Sequence, residues 1–154
     1  MTRFVVVRHG ETQWNLESRI QGHGDSALTA KGLEQAEASA RRLAAGDDRI
    51  GIGIGGAREH ARPARVHLGV GEALALPEAA LARKHAGKRI VAVTHGGVLA
   101  VLYRIVHGIP LAHAHKVTIS NASYNAVAFD GDAWRLEAWD DTAHLGDATP
   151  FVES

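Results

Sequence analysis

Two histidines, each ending an apolar run and each followed by glycine, are the residues of this chain best suited to chemistry. His9 follows Val5-Val6-Val7-Arg8 and precedes Gly10-Glu11-Thr12, while His95 follows Val91-Ala92-Val93-Thr94 and precedes Gly96-Gly97. An imidazole nitrogen attacks phosphorus well when it is unprotonated and the other ring nitrogen is pinned by a donated hydrogen bond. Arg8 adds a planar fork of donors that matches phosphate oxygens two at a time. His95 can hold a phosphate oxygen as a charged donor or hydrogen-bond the transferred group. Backbone N–H groups at Gly96 and Gly97, opening a helix, add an anion site. Phosphoryl transfer is mostly positioning plus charge stabilisation, and this set supplies both. Asn15 and Gln21 follow the first motif closely enough for their amides to reach the same phosphate.

Strands must carry these groups. An uninterrupted Val/Ile run reads as a strand buried on both faces, the kind found in parallel sheets. Ligands of open α/β sheets bind beyond the carboxyl ends of such strands. Parallel pairing of strands over 4–7 and 90–94 therefore puts His9, Arg8 and His95 at one crevice. Between them, residues 10–28 read as a long polar loop. Thr29 caps a helix running to about Ala45, with Leu33, Ala36, Ala40, Leu43 and Ala44 on one face and Gly46 as its stop. A helix after Pro77 ends near Gly87, and an apolar helix over 98–106 ends at Gly108 and Pro110. Strands over 124–129 and 133–139 flank Asp130-Gly131, a hairpin turn. The tail after Asp140 carries no clear signal.

The stretch over 47–75 lacks a clean period of either kind. Its Gly51-Ile52-Gly53-Ile54-Gly55-Gly56 formally fits G-x-G-x-x-G. A dinucleotide fingerprint follows a strand, whereas this run follows a helix end, so a flexible loop is the expectation.

Bulk properties bound the function classes. The chain has 154 residues and a formal net charge of +0, which predicts one domain over 1–154 with no field favouring nucleic acid or an anionic membrane. It has no cysteine, which excludes disulfides and thiolate chemistry. The expectation is a cytoplasmic globular domain with no leader and no bilayer span. His113 and His115 alternate as metal ligands do, but no third ligand is evident and solvated histidines are expected. Glu11 reads as a loop or capping residue, Trp14 as a packing residue, and Trp134 and Trp139 as hairpin core. The Arg41-Arg42 pair and Lys84, Lys88 and Arg89 read as solvated faces.

Arg8-His9-Gly10-Glu11-Thr12, Trp14-Asn15, Gln21-Gly22 and Leu28-Thr29 together resemble the start of the histidine phosphatase superfamily, which includes cofactor-dependent phosphoglycerate mutases and broad phosphatases. Val93-Thr94-His95-Gly96-Gly97 resembles its second signature, and Asn121-Ala122-Ser123 its late strand. The resemblance implies a three-layer α/β/α sandwich around a mostly parallel sheet, phosphoglycerate mutase-like. It implies that His9 is phosphorylated, with Arg8 and His95 binding the phosphate. Asn15, Gln21, Gly22 and Gly96 then bind a small phosphorylated metabolite, with no metal and no cofactor.

The middle departs from that pattern. Members of the superfamily carry a strand ending in Ser-Ser/Asp…Arg-Ala…Thr, whose arginine is a second phosphate clamp, and later a general-acid glutamate. Here the region is short. Arg58, Arg62 and Arg65, and Glu59 or Glu72, are the residues available for those roles. Its composition fits either an internal deletion or translation out of frame. Losing a general acid typically costs about 10²–10⁴-fold in rate. Losing a central strand predicts an exposed sheet edge, marginal stability or pairing with a second copy as a homodimer. Three functions stay open: a phosphomonoester hydrolase, a mutase returning the phosphoryl group to another hydroxyl, and an inactive phosphate-binding remnant.

Overall fold

The computed structural model describes residues 1–19, 26–45, 49–54, 65–68, 82–146 and 152–153, with strands 49–54, 65–68 and 152–153 described by backbone alone. The two apolar runs become β1 (Thr2–Arg8) and β4 (Arg89–Thr94), paired in parallel with Arg8 opposite Thr94. β2 (Arg49–Ile54) and β3 (Arg65–Leu68) extend the parallel region beyond β4. On the other side of β1, the hairpin β6 (Tyr124–Phe129) and β7 (Trp134–Asp141) adds antiparallel pairing. The sheet order is β3-β2-β4-β1-β6-β7. A separate two-stranded ladder joins β5 (Val117–Thr118) to β8 (Val152–Glu153).

Alternation along β1 supplies both cores. Phe4 and Val6 join Ile90, Ala92, Val127 and Phe129 beneath Leu99 and Leu102 of α3 (Gly96–His107). Val5 and Val7 join Val91 on the opposite face, covered by Leu43 of α2 (Ala30–Ala44) and by Tyr124. Helices therefore lie on both faces, which is the expected three-layer α/β/α arrangement. Ile90 and Leu99 are fully buried, each contributing about 1.5–3 kcal/mol. The second core is smaller: Val93, expected to be buried, is 41% exposed and lies outside the cluster of Val5, Val7 and Val91. Among the described residues no helix is long and apolar enough to cross a membrane.

Other expectations change. Residues 49–54 form a strand rather than a flexible loop, paired to β4 on one side and β3 on the other, so β4 is not an edge. Ile50-Gly51-Ile52-Gly53-Ile54 does alternate with period two, but glycine is so poor a strand former that it hides the pattern. The 10–28 loop contains a short helix, α1 (Gln13–Leu16), closed by a capping box between Thr12 and Asn15. Asn121-Ala122-Ser123 is a turn ahead of β6, with Ala122 at φ +57°, rather than part of a strand.

Helix α2 is rotated from its expected face. Thr29 does cap it, accepting from the Gly32 N–H, but Leu33 is 56% exposed and Gly32, Gln35 and Ser39 are the buried positions. Polar anchors set that rotation: Gln35 Oε1 accepts from the Glu11 N–H at 2.8 Å, and Ser39 Oγ meets His144 Nε2 at 3.1 Å. Only Leu43 of the expected apolar face turns toward the sheet.

Arg42 and Arg89 are not simple solvated residues either. Arg89 donates to the Tyr124 hydroxyl, while Arg42 lies 4.1 Å over the Tyr124 ring and donates to Asp141. The Arg42 hydrogen bond, with help from the Ala143 N–H, holds the Asp141 carboxyl at about 2. Because the folded value lies below the unfolded one, this stabilisation is present above about pH 4 and is lost as pH falls through 2. Arg42→Ala is expected to destabilise the fold by about 2 kcal/mol at pH 7, combining a charge-assisted bond with a cation–π contact. Urea unfolding at pH 7 and pH 2 checks this: the difference between variant and parent narrows at the lower pH.

Candidate active site

The carboxyl ends of β1 and β4 bring His9 and His95 to ring centroids 4.8 Å apart in an edge-on arrangement. Backbone hydrogen bonds fix His9 from both sides. Its N–H donates to the Thr94 carbonyl at 2.9 Å, and its carbonyl accepts from the Ala122 N–H at 3.1 Å. The Asn121 side-chain amide donates to the same carbonyl at 3.2 Å.

The ring itself is set by one contact. His9 Nδ1 lies 2.7 Å from the Gly10 carbonyl, which can only accept, so Nδ1 carries the proton and Nε2 is left with its lone pair. Burial pushes the imidazole from its ordinary 6.5 down to about 4, the Gly10 carbonyl opposing and His95 and Arg8 adding to the depression. His9 is therefore a neutral imidazole at pH 7, held in one orientation by the Gly10 carbonyl. The His95 pKa is lowered too, first by burial and then by Arg8.

The His9 shift carries a stability consequence. An unfolded histidine takes up its proton near 6.5, but the folded one resists until about 4. Stability is complete above pH 6.5 and falls by up to about 3 kcal/mol as pH reaches 4. Denaturation curves at pH 7.5 and 5 are expected to differ in this sense, with the slope reduced in His9→Gln. A slope unchanged in that variant would contradict the assignment.

Arg8 is 4% exposed, and its Nη1 donates to the Ile119 carbonyl. Thr94, opposite it, is fully buried, and its hydroxyl finds no hydrogen-bond partner among the described residues. Gly96 is buried in the first turn of α3, which starts at His95 with no side-chain cap, so its leading N–H groups open beside that ring. Asn15 is brought close, but its Oδ1 already accepts from the Thr12 N–H at 3.0 Å and from Asn121 Nδ2 at 3.1 Å. It braces the loop as well as bordering the cleft. Gln21, Gly22, Arg58, Arg62, Glu59 and Glu72 lie outside the described residues, as does the side chain of Arg65.

Glu11 works as a tether: it accepts from Thr29 Oγ1 at 2.8 Å and pairs with Lys31 at 3.8 Å. Trp14 packs under the Arg19 guanidinium, 4.6 Å from its ring centroid. His113 and His115 are exposed, and no group of three potential metal ligands occurs among the described residues. Asn121 was not singled out for the site by sequence. Its signal was weak: an Asn-Ala-Ser cluster directly after the apolar Val117–Ile119 stretch.

A family model described as the histidine phosphatase superfamily (branch 1) matches residues 4–51 and 64–142. Phosphoglycerate mutase-like protein 4 of Arabidopsis thaliana is similar, with 30% identity over 210 aligned positions covering 97% of this chain and 89% of that one. Against a chain of 154 residues, 210 positions leave at least 56 that only the relative possesses. A metal-independent phosphoserine phosphatase of the same plant is 28% identical, covering 94% of this chain and 84% of its own. In fold, the chain is similar to a mutant phosphoserine phosphatase from Entamoeba histolytica crystallised with phosphoserine. The TM-score is 0.77 at 19% identity, covering 94% of this chain and 100% of that one. The match on both sides of the shortened middle, joined to the paired histidines at the ends of β1 and β4, makes this chain a member of the histidine phosphatase superfamily.

Proposed function

We propose that the chain is a phosphomonoester hydrolase that works through a phosphohistidine at His9 and acts on a small phosphorylated metabolite. The observation that carries this is the Nδ1 contact to the Gly10 carbonyl, which leaves Nε2 unprotonated beside His95. In the first step Nε2 bonds to phosphorus, the ester P–O bond breaks, and the departing alkoxide takes a proton. In the second, water attacks phosphorus, the N–P bond breaks, and inorganic phosphate leaves. Arg8, His95 and the leading amides of α3 hold the three non-bridging oxygens, whose charge is what catalysis must stabilise. Glu59 and Glu72 are the glutamates of the middle segment available as proton donor for the first step, and no motif marks either.

Hydrolysis is favoured over mutase chemistry by the shortened middle. Returning the phosphoryl group needs a pocket that retains the intermediate and excludes water. A chain lacking at least 56 positions of a relative has less material to close over the site.

The test is product analysis with an aryl phosphate and, separately, 3-phosphoglycerate. Release of inorganic phosphate from the aryl ester, with no isomerised phosphoglycerate, is the expected result. Isomerisation without phosphate release would make the chain a mutase. Phosphate binding without turnover of either would make it a binding remnant.

A further inference from the structure

Behind Arg8 lies a polar network that the proposed chemistry does not use. Asp140 has φ +50°, in the left-handed region that a non-glycine residue enters at a cost, smaller for aspartate than for most. It sits where β7 shifts register against β6, between the pairs Tyr124–Asp141 and Ala126–Ala138. Such bulges re-aim a side chain. The Asp140 carboxylate takes both donors of one residue: the Ser120 N–H on Oδ1 and the Ser120 hydroxyl on Oδ2, the latter at 3.2 Å. Its own N–H donates to Asn125 Oδ1 at 2.8 Å, and Asn125 Nδ2 reaches the Val6 carbonyl at 3.0 Å. Ser120 and Asn125 are buried. The residue before Ser120 is Ile119, whose carbonyl receives Arg8 Nη1.

We propose that Asp140 is a positioning residue for Arg8, acting by fixing Ser120 and so aiming the Ile119 carbonyl at the guanidinium. The Ile119 carbonyl anchors one N–H of the fork, and because the guanidinium is rigid, moving that carbonyl re-aims its other donors as well. The left-handed backbone at Asp140 persists because two hydrogen bonds to Ser120 and one to Asn125 over-determine it. The inference rests on Arg8 being a phosphate clamp for its consequence in binding, but not for the relay itself.

The test has two readouts on the full chain: affinity for inorganic phosphate by calorimetry, and exchange of the Arg8 guanidinium N–H protons by NMR, assigned by their loss in Arg8→Lys. Asp140→Ala is expected to weaken phosphate binding about tenfold and to speed Arg8 exchange at least fivefold, as expected when hydrogen bonds to a charged group are lost. Asp140→Asn should stay within about twofold of the parent, because asparagine tolerates the left-handed backbone and offers one oxygen and one N–H to Ser120. Should Asp140→Ala not fold, Ser120→Ala deletes one of the two bonds and is expected to speed exchange about twofold to fivefold. Unchanged exchange in Asp140→Ala, or in Ser120→Ala where that variant stands in, would overturn the relay. So would an Asp140→Asn as impaired as the alanine. A parent that binds no phosphate, while Arg8 exchange follows the predicted pattern, would overturn the phosphate-site reading and leave the relay standing.

Discussion

His9→Ala is expected to lower turnover of an aryl phosphate by at least about 10³-fold while changing affinity for inorganic phosphate by less than about tenfold. The two effects separate because the site's labour is divided. In the proposed mechanism nucleophilic attack belongs to one atom, Nε2, which the Nδ1 contact to Gly10 leaves unprotonated. Charge recognition is assigned to Arg8, His95 and the α3 amides, all of which remain in the variant. The fold itself should tolerate the change, since the backbone hydrogen bonds that hold His9 to Thr94 and Ala122 remain in the variant. Steady-state kinetics with calorimetry on the same preparation checks the split. Turnover that survives within tenfold would move the nucleophile elsewhere.

Gly32→Ala should destabilise the protein by about 3 kcal/mol or more, although it lies inside a helix. Two effects compete. Helix propensity favours alanine by about 1 kcal/mol. Against that, a Cβ at this position would stand 2.0 Å from the Glu11 carbonyl oxygen, a separation no side chain can relieve because the obstacle is backbone. The converse approach is equally tight, with a Cβ on Gly10 falling 2.3 Å from the Gly32 carbonyl oxygen. Overlap of this depth forces the first turn of α2 away from the 10–11 segment. That segment carries the Gly10 carbonyl that orients His9, so activity should fall together with stability. Urea unfolding decides the balance: a Gly32→Ala protein as stable as the parent would show that propensity wins and that the close approach is not maintained.

How much was legible in sequence follows from which signal each element carries. β1, β4 and the β6–β7 hairpin were readable because long Val/Ile runs and alternation around Asp130-Gly131 are strong local patterns. The crevice followed from them, since parallel pairing of two such strands leaves their carboxyl ends little choice. The rotation of α2 was not readable: Leu33 and three alanines mark one face, yet long-range bonds from Glu11 and His144 turn another inward. β2 was hidden by its glycines. Asn121 and Asp140 were hidden for a different reason, because each acts through a partner more than a dozen residues away, in Asn15 and Ser120 respectively. The proton donor was least legible of all, since the sequence between β2 and β4 keeps no motif to mark it.

The most direct test of the account is to quench the protein milliseconds after mixing with an aryl phosphate and map any phosphoryl adduct by mass spectrometry under alkaline conditions. One phosphoryl group on His9, stable to base and lost in acid, is the predicted result. Sustained turnover with no adduct on His9, or an acid-stable adduct on a hydroxyl or carboxylate elsewhere, would contradict it.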